Sequence, residues 1–309
     1  MTSSVSAALA LIGGRELLQQ AVNGLFTGSI YALFAVGYTL VFGVLDVLNL
    51  AHSAVFMVGA VIALMLTADL GWPFWLAAPA AIAVCGALGY ALERFAFRPL
   101  RRQGAPHLNA LITSVGLALV MVSITQVRFG ANARAFPPGT VPATTLRIAG
   151  VRVDTVQLAT VTLTLALMGG LALVVRRTSA GRAMRAVAEN ARAAMLRGID
   201  VDKVFALTLV LSSALGGLAG ILFGLTQSDV SPFMGRDEVE LKGLAVIVVG
   251  GMGSIAGAVL AGYLLGLVEV VALVLFGANI RVAVAFVVLF VVLVIRPRGL
   301  IGERLMRRA

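Results

Sequence analysis

Apolar residues run through this chain in long blocks, separated by short clusters of charge. Residues 17–45, 47–68, 70–92, 103–127, 155–175, 204–228 and 243–268 contain no Asp, Glu, Lys or Arg. Each block exceeds the roughly 18 residues that mark a transmembrane helix. A shorter run, 282–295, ends at the basic stretch "RPRG". The blocks are continuous and do not alternate every second residue, which excludes the pattern of a lipid-facing β-barrel. In hydrocarbon a backbone must satisfy its own hydrogen bonds, and a continuous apolar run does so as a helix. The pattern predicts an all-α polytopic transmembrane bundle of eight to ten spans, with broken or re-entrant helices among them. Residues 1–16 read as an N-terminal segment. It has a short apolar patch but no basic start, so it does not match a cleaved signal peptide. Residues 17–309 read as one membrane domain.

Charge sets the direction of the spans. Of the 309 residues, 60% are hydrophobic and 12% charged, about half the charged share of a soluble domain. The net charge of +10 is concentrated. Arg94, Arg98, Arg101 and Arg102 form one cluster; Arg176, Arg177, Arg182, Arg185, Arg192, Arg197 and Lys203 form a second; Arg296, Arg298, Arg304, Arg307 and Arg308 close the chain. Basic residues flanking spans stay on the cytoplasmic side. The rule places 94–107, 176–203 and the tail inside, and 128–154 and 227–240 outside. The excess charge thus reports topology and needs no nucleic acid. With these anchors the span 17–43 runs inward, leaving the N-terminus outside. From residue 238 outside to 296 inside the number of crossings must be odd. Segments 241–251, 257–276 and 281–296 supply three, the first of them short; a re-entrant segment also satisfies the parity. Trp72 and Trp75, flanking Pro73, read as interface anchors.

Polar residues inside such a chain are candidates for function. Residues 45–56, "LDVLNLAHSAVF", hold Asp46, Asn49, His52 and Ser53 between two apolar blocks. Asn49, His52 and Ser53 are three and four apart and can share a helix face. Asn and Ser also suit helix starts, where they satisfy free backbone amides. The second span then begins within the membrane; the alternative is an ordinary cytoplasmic turn with a capping Asn. Gly250, Gly251, Gly253 and Ser254 form a second interruption in the other half of the chain. Paired interruptions mark solute pathways in transporters. The expectation is that Asn49, His52 and Ser53 face Gly250, Gly251, Gly253 and Ser254 across a narrow, mostly apolar passage. Gly253 and Gly257 form a pair that permits close helix contact, and Gly216, Gly217 and Gly220 read as packing. Glu269 is the one acid in the late apolar region. It is either the coupling site of a proton- or cation-driven carrier, or a structural acid near a helix end or paired with Arg281.

The segment "TSAGRAMRAVAENARAAMLRGIDVDKV" (178–204) predicts a cytoplasmic amphipathic helix in the loop 177–203. Thr178 or Ser179 starts it and Gly198 ends it. Met184, Val187, Ala188, Ala191 and Met195 share a face opposite Arg182, Arg185, Glu189 and Arg192. Such a helix either lies on lipid headgroups or docks into a partner's groove. The docking reading nominates Arg185, Ala188, Asn190, Ala191, Ala194 and Gly198.

Enzymatic chemistry finds little support. Ser53 directly follows His52, so on a helix their side chains diverge by about 100°, and a nucleophile and base must meet. Cys85, His52 and His107 are too scattered for a zinc site. No cofactor is implied. The Gly-x-x-x-x-Gly-Lys-[Ser/Thr] phosphate loop is absent, so any use of ATP belongs to another chain.

Three stretches together resemble one family. They are "NGLFTGSIYALFAVGYTLVFGVLDVLNLAHSAVFMVGA" (23–60) with its Asn-x-Ala-His core, "ENARAAMLRGIDVDKVFALTLVLSSALGGLAGILFG" (189–224), and "LKGLAVIVVGGMGSIAGAVLAGYLLG" (241–266) with its Gly-Gly-x-Gly-Ser-Ile segment. In order and content they resemble the permeases of branched-chain amino acid ABC transporters. One departure is Ser53, where the family usually has glycine. The resemblance implies a multi-pass permease subunit in a bacterial inner membrane, importing leucine, isoleucine, valine or a related small solute such as urea or an amide. It implies separate ATP-binding subunits, a second related permease or a second copy of this chain, and a periplasmic binding protein. The rival readings are a stand-alone carrier or channel, with Glu269 as the coupling site, and a membrane-embedded enzyme.

Overall fold

The computed structural model describes residues 14–301, apart from residues 143, 149, 228, 278–280 and 298. Residues 1–13, the tail arginines 304, 307 and 308, Arg298 and the side chain of Arg281 lie outside what it describes.

Among the described residues the chain is helical except for one hairpin. In order the elements are α1 (Gly14–Leu45), α2 (Ala51–Leu64), α3 (Phe74–Leu92), α4 (Arg98–Arg102), α5 (His107–Phe129), β1 (Thr145–Ile148), β2 (Val151–Asp154), α6 (Thr155–Arg177), α7 (Ser179–Leu196), α8 (Val201–Gln227), α9 (Glu240–Gly250), α10 (Ile255–Phe276) and α11 (Arg281–Ile295). Single π-helical turns extend α2 over Met65–Asp69, join α3 to α4 over Glu93–Phe97, and lead into α9 over Gly235–Val239. Seven helical stretches are long and apolar enough to span a membrane. A further apolar helix, Ala283–Ile295 within α11, is shorter, and α9 has 11 residues. The fold is the expected polytopic helical bundle, with seven candidate spans among the described residues and shorter helices beside them.

The directions of the helices follow from their end contacts. At the start of α1, Gln19 exchanges two hydrogen bonds with the Arg152 backbone in the β-hairpin, at 2.8 and 2.7 Å. At its end, Val44 and Leu45 pack against Met184 and Val187 of α7. The first helix therefore runs from the hairpin face to the basic face. At the other terminus, Leu300 N–H and Ile301 N–H donate to the carbonyls of Val249 and Gly250, at 2.7 and 3.1 Å. The described chain begins on the hairpin face and ends on the basic face.

Two kinds of contact hold the bundle. The first is close approach at small residues. α1 and α10 lie antiparallel and nearly touch at the backbone. A Cβ on Gly28 would lie 2.8 Å from Tyr263 Cα, and one on Gly262 would lie 2.6 Å from Ala32 Cα. Apolar burial drives no association between helices in lipid, so such interfaces rely on close packing. The second is charge on the basic face. Glu93, fully buried, accepts from Arg101 at 2.9 Å and Arg98 at 3.4 Å; Asp202 at the start of α8 pairs with Arg101 and, at 2.9 Å, with Arg102. The Arg101 guanidinium also lies 4.3 Å from the centre of the Phe205 ring. The arginines expected on the cytoplasmic side thus also clamp α3 and α4 to α8. On the hairpin face, Arg134 pairs with Asp69 at 2.5 Å and shares a backbone bridge with Val230.

α5 and α6 contribute little to the interior. Ile112, Leu119, Ile124 and Val127 of α5 and Leu158, Leu165 and Leu173 of α6 are exposed, as suits helices that face lipid or a second membrane protein.

Candidate functional site

The polar segment 46–53 has a distinct task for each residue. Asp46 is the one non-glycine residue with positive φ (55°) among the described residues. Asp tolerates the left-handed conformation better than most residues, and here it ends α1. Asn49, buried, accepts the Ala51 N–H on Oδ1 at 3.2 Å and so starts α2. Leu50 N–H donates to Ser114 Oγ at 3.1 Å. Ser114 is seven residues into α5, so α2 begins about 10 Å inside the bundle from the basic face, at 1.5 Å per residue.

His52 and Ser53 part company. His52 is buried, with Nε2 3.2 Å from the Phe34 carbonyl and Nδ1 3.4 Å from Ser212 Oγ. Its ring stacks obliquely on Phe34, with centroids 4.7 Å apart, and meets Tyr38 edge-on at 5.5 Å. A Cβ on Gly216 would reach within 2.6 Å of His52 Cε1. His52 therefore pins α2 to α1 and α8. Ser53 turns the other way and lines a cavity between α2, α5 and the Gly235–Glu240 stretch.

The second interruption is real, but it does not face the first. Gly251 and Gly253 take φ of 99° and 88°, which carry the turn from α9 into α10. Ser254 caps α10, its Oγ accepting the Gly257 N–H at 3.1 Å. A Cβ on Gly43, in the last turn of α1, would lie 3.3 Å from Gly253 Cα. Gly37 beside His52 and Gly43 beside Gly253 are six residues apart, about 120° around α1 at 100° per residue. α1 thus stands between His52 and the glycine turn. The expected facing of Asn49, His52 and Ser53 with Gly250, Gly251, Gly253 and Ser254 gives way to two separate contacts with α1. Periodicity placed the three polar residues on one face but could not say which neighbour that face meets.

What enters the bundle opposite Ser53 is a different segment. Val230 lies near Gly224 and Ala60, while a Cβ on Gly235 would lie 3.6 Å from Met57 Cβ and 3.0 Å from the Ser53 carbonyl carbon. From Ala60 to Ser53 is about 10 Å down α2. Residues 229–239, expected to form an outer loop, instead descend into the bundle as turn and π-helix before α9 completes the pass. Irregular backbone at that depth must lie within protein or line a cavity.

Glu269 is not a lone acid. Lys242 Nζ donates to Glu269 Oε1 and to Tyr31 Oη, both at 2.8 Å, and joins α9 to α10 and α1. Both charged side chains are almost fully buried, at 1% and 3% exposure. The sequence reading considered only Arg281 as a partner, because Lys242 stands just outside the charge-free run that begins at 243.

On the basic face, α7 is present but differs from the expected uniform helix. Thr178 Oγ1 accepts the Gly181 N–H at 3.0 Å and starts it. Asn190 breaks it, with φ −159° and ψ 101°, and its Oδ1 accepts the Ala193 N–H at 2.9 Å to begin a second short piece. Gly198, with φ 81°, follows its end. Met184, Val187 and Ala194 are buried against Val44, Leu45, Val201 and Phe205. Ala188 and Ala191 are half-buried, and Arg185 donates to the Val175 carbonyl. The apolar stripe nominated for a partner is therefore largely used within the chain. The apolar residues left facing outward are Met195 and Leu196, 62% and 86% exposed. Leu196 has no sequence signal of its own, because only the kink at Asn190 turns it away from the bundle.

The comparisons with known proteins bear on the whole chain. The family profile described as the branched-chain amino acid transport system permease component matches residues 20–295. The chain belongs to this family. The permease is 38% identical over 93% of its length, and 96% of the relative, to the high-affinity branched-chain amino acid transport system permease protein BraD of Pseudomonas aeruginosa. It is 33% identical, with the same coverage, to the LivH permease protein of Escherichia coli. A more distant relative, the LivM permease of Salmonella typhimurium, is 27% identical over 76% of the chain. Among solved structures the fold resembles PsaBC from Streptococcus pneumoniae in complex with Fab. The TM-score is 0.51 at 13% identity, over 96% of this permease and 97% of that chain.

Proposed function

We propose that this permease is the membrane-spanning subunit of an ATP-driven importer for branched-chain amino acids in a bacterial inner membrane. The observation that carries the reading is the near full-length match to BraD; the family profile, over residues 20–295, takes in both interruptions and the α7 loop. The chain provides the passage, and separate ATPase subunits supply the work. α7 suits their docking, because its inner face is anchored to α1 and α8 while Met195 and Leu196 project from the basic face. The resemblance to LivM as well as LivH favours pairing with a second, related permease over pairing with itself. A periplasmic binding protein would deliver solute to the hairpin face.

A stand-alone carrier would need an acid free to change its charge. Glu269 is held by Lys242, which also donates to Tyr31, at the junction of three helices, which supports a structural role.

Co-expression with candidate ATPase, second-permease and binding-protein subunits from the same organism tests the reading. A detergent-stable complex containing the first two is expected. A chain that purifies alone and transports alone would refute it.

A further inference from the structure

The cavity beside Ser53 has a volume of about 240 Å³. That is below the roughly 300–1,000 Å³ of sites for drug-sized ligands, so it suits a solute of amino-acid size. One wall is apolar: Met57 from α2, and Val115, Leu119 and Val122 from α5. The other wall is the descending segment, which brings Arg236 and Glu240 to the same space. Glu240 lines this space together with Ser53, whose hydroxyl donates to the Leu50 carbonyl at 3.0 Å. Among the described residues neither Arg236 nor Glu240 forms an ion pair. An exposed arginine and a partly buried glutamate thus meet at one small, mainly apolar cavity. Ionisable side chains at membrane depth seldom face lipid and mark solute pathways; Val115 and Leu119 keep part of their surface open, so the cavity opens to the outer side of α5.

We propose that this cavity binds the zwitterionic head of an α-amino acid during passage. Arg236 receives the carboxylate, Glu240 with Ser53 receives the ammonium, and Met57, Val115, Leu119 and Val122 take the apolar side chain. A molecule carrying both charges satisfies both walls at once, whereas a solute with one charge leaves the other uncompensated. The inference rests on the importer reading and adds the chemistry of the site. It also gives Ser53 a role that the family's usual glycine could not fill, since glycine has no hydroxyl.

The test uses the assembled transporter carrying Ala118→Cys, a change on the α5 wall of the cavity. The native Cys85 is buried, so a maleimide reports the new thiol. Leucine is expected to slow labelling at least fivefold, while leucinamide and 4-methylpentanoate, each lacking one charge, leave it unchanged. Equal protection by either analogue, or none at saturating leucine, would overturn the site. In vesicles, Arg236→Gln and Glu240→Gln are each expected to lower leucine uptake at least tenfold, with complex assembly and ATP hydrolysis retained. If the unaltered complex imports no amino acid, the importer reading fails. If it imports leucine and both variants carry it at the original rate, only the site fails.

Discussion

At the scale of single residues, the buried pair Lys242–Glu269 offers a test between two kinds of transporter. An intramembrane acid in a proton-coupled carrier works by losing and regaining its charge. Here the carboxylate is 2.8 Å from an ammonium that is itself bonded to Tyr31. Removing one member of such a pair strands a buried charge, at about 3–5 kcal/mol, whereas replacing both by neutral groups of similar shape is often tolerated. Lys242→Met is therefore expected to lower the thermal stability of the purified protein sharply, and Lys242→Met with Glu269→Gln to recover most of it. The recovered double variant should still transport. Loss of transport in a well-folded double variant would restore Glu269 as a coupling group. His52 follows the same logic of neighbours. Gly216→Val places carbon against a ring that has no room to move, and should destabilise the protein more than Gly116→Val, which opens on free space.

At the scale of elements, α7 shows what periodicity could and could not deliver. The amphipathic stripe was legible, as were Thr178 at the start and Gly198 after the end. Its orientation was not, because a sequence does not say whether an apolar face turns inward to the same chain or outward to another. The kink at Asn190 was also hidden: asparagine is an ordinary, if mediocre, helix residue, and its break depends on the Ala193 N–H finding its side chain. Two variants separate the roles. Leu196→Glu is expected to leave the permease folded and membrane-inserted while cutting ATP-driven uptake at least tenfold. Val187→Asp, on the buried face, should instead reduce the amount of folded protein recovered by size-exclusion chromatography. Uptake at the original rate with Leu196→Glu would remove the exposed knob from the docking surface. The descent at 229–239 was illegible for a similar reason. Asp229, Arg236, Asp237, Glu238 and Glu240 read as a solvated loop, because charge density alone does not reveal a segment that carries some of its charges into a cavity.

At the scale of the whole molecule, the long apolar blocks and the placement of arginine were enough to lay out most of the bundle. The charge-free runs match helices α1, α2, α3, α5, α6 and α8 within a few residues, whereas the run 243–268 straddles most of α9, the glycine turn and the first part of α10. In the last third, α10 is long and apolar enough to span, Ala283–Ile295 is shorter, and the start of the parity count moves, because 229–239 enters the bundle. What the pattern could not supply was the neighbour relations, such as α1 against α10 along a glycine-lined seam, since every apolar face reads alike in a chain this hydrophobic. The arrangement places the two ends of the described chain on opposite faces. Single cysteines at Thr140 and at Arg197, probed with a membrane-impermeant maleimide in intact cells, should label at 140 only. Labelling at both positions, or only at 197, would contradict the topology.

The account stands most directly on the source of the driving force. The measurement is leucine uptake into sealed vesicles holding the assembled complex, supplied with loaded binding protein. Uptake should require ATP on the side of α7. It should persist when proton and sodium gradients are collapsed, and it should disappear when the ATPase subunits carry a phosphate-loop substitution. Uptake by this chain that continues without ATP, or that follows an imposed ion gradient, would contradict the account.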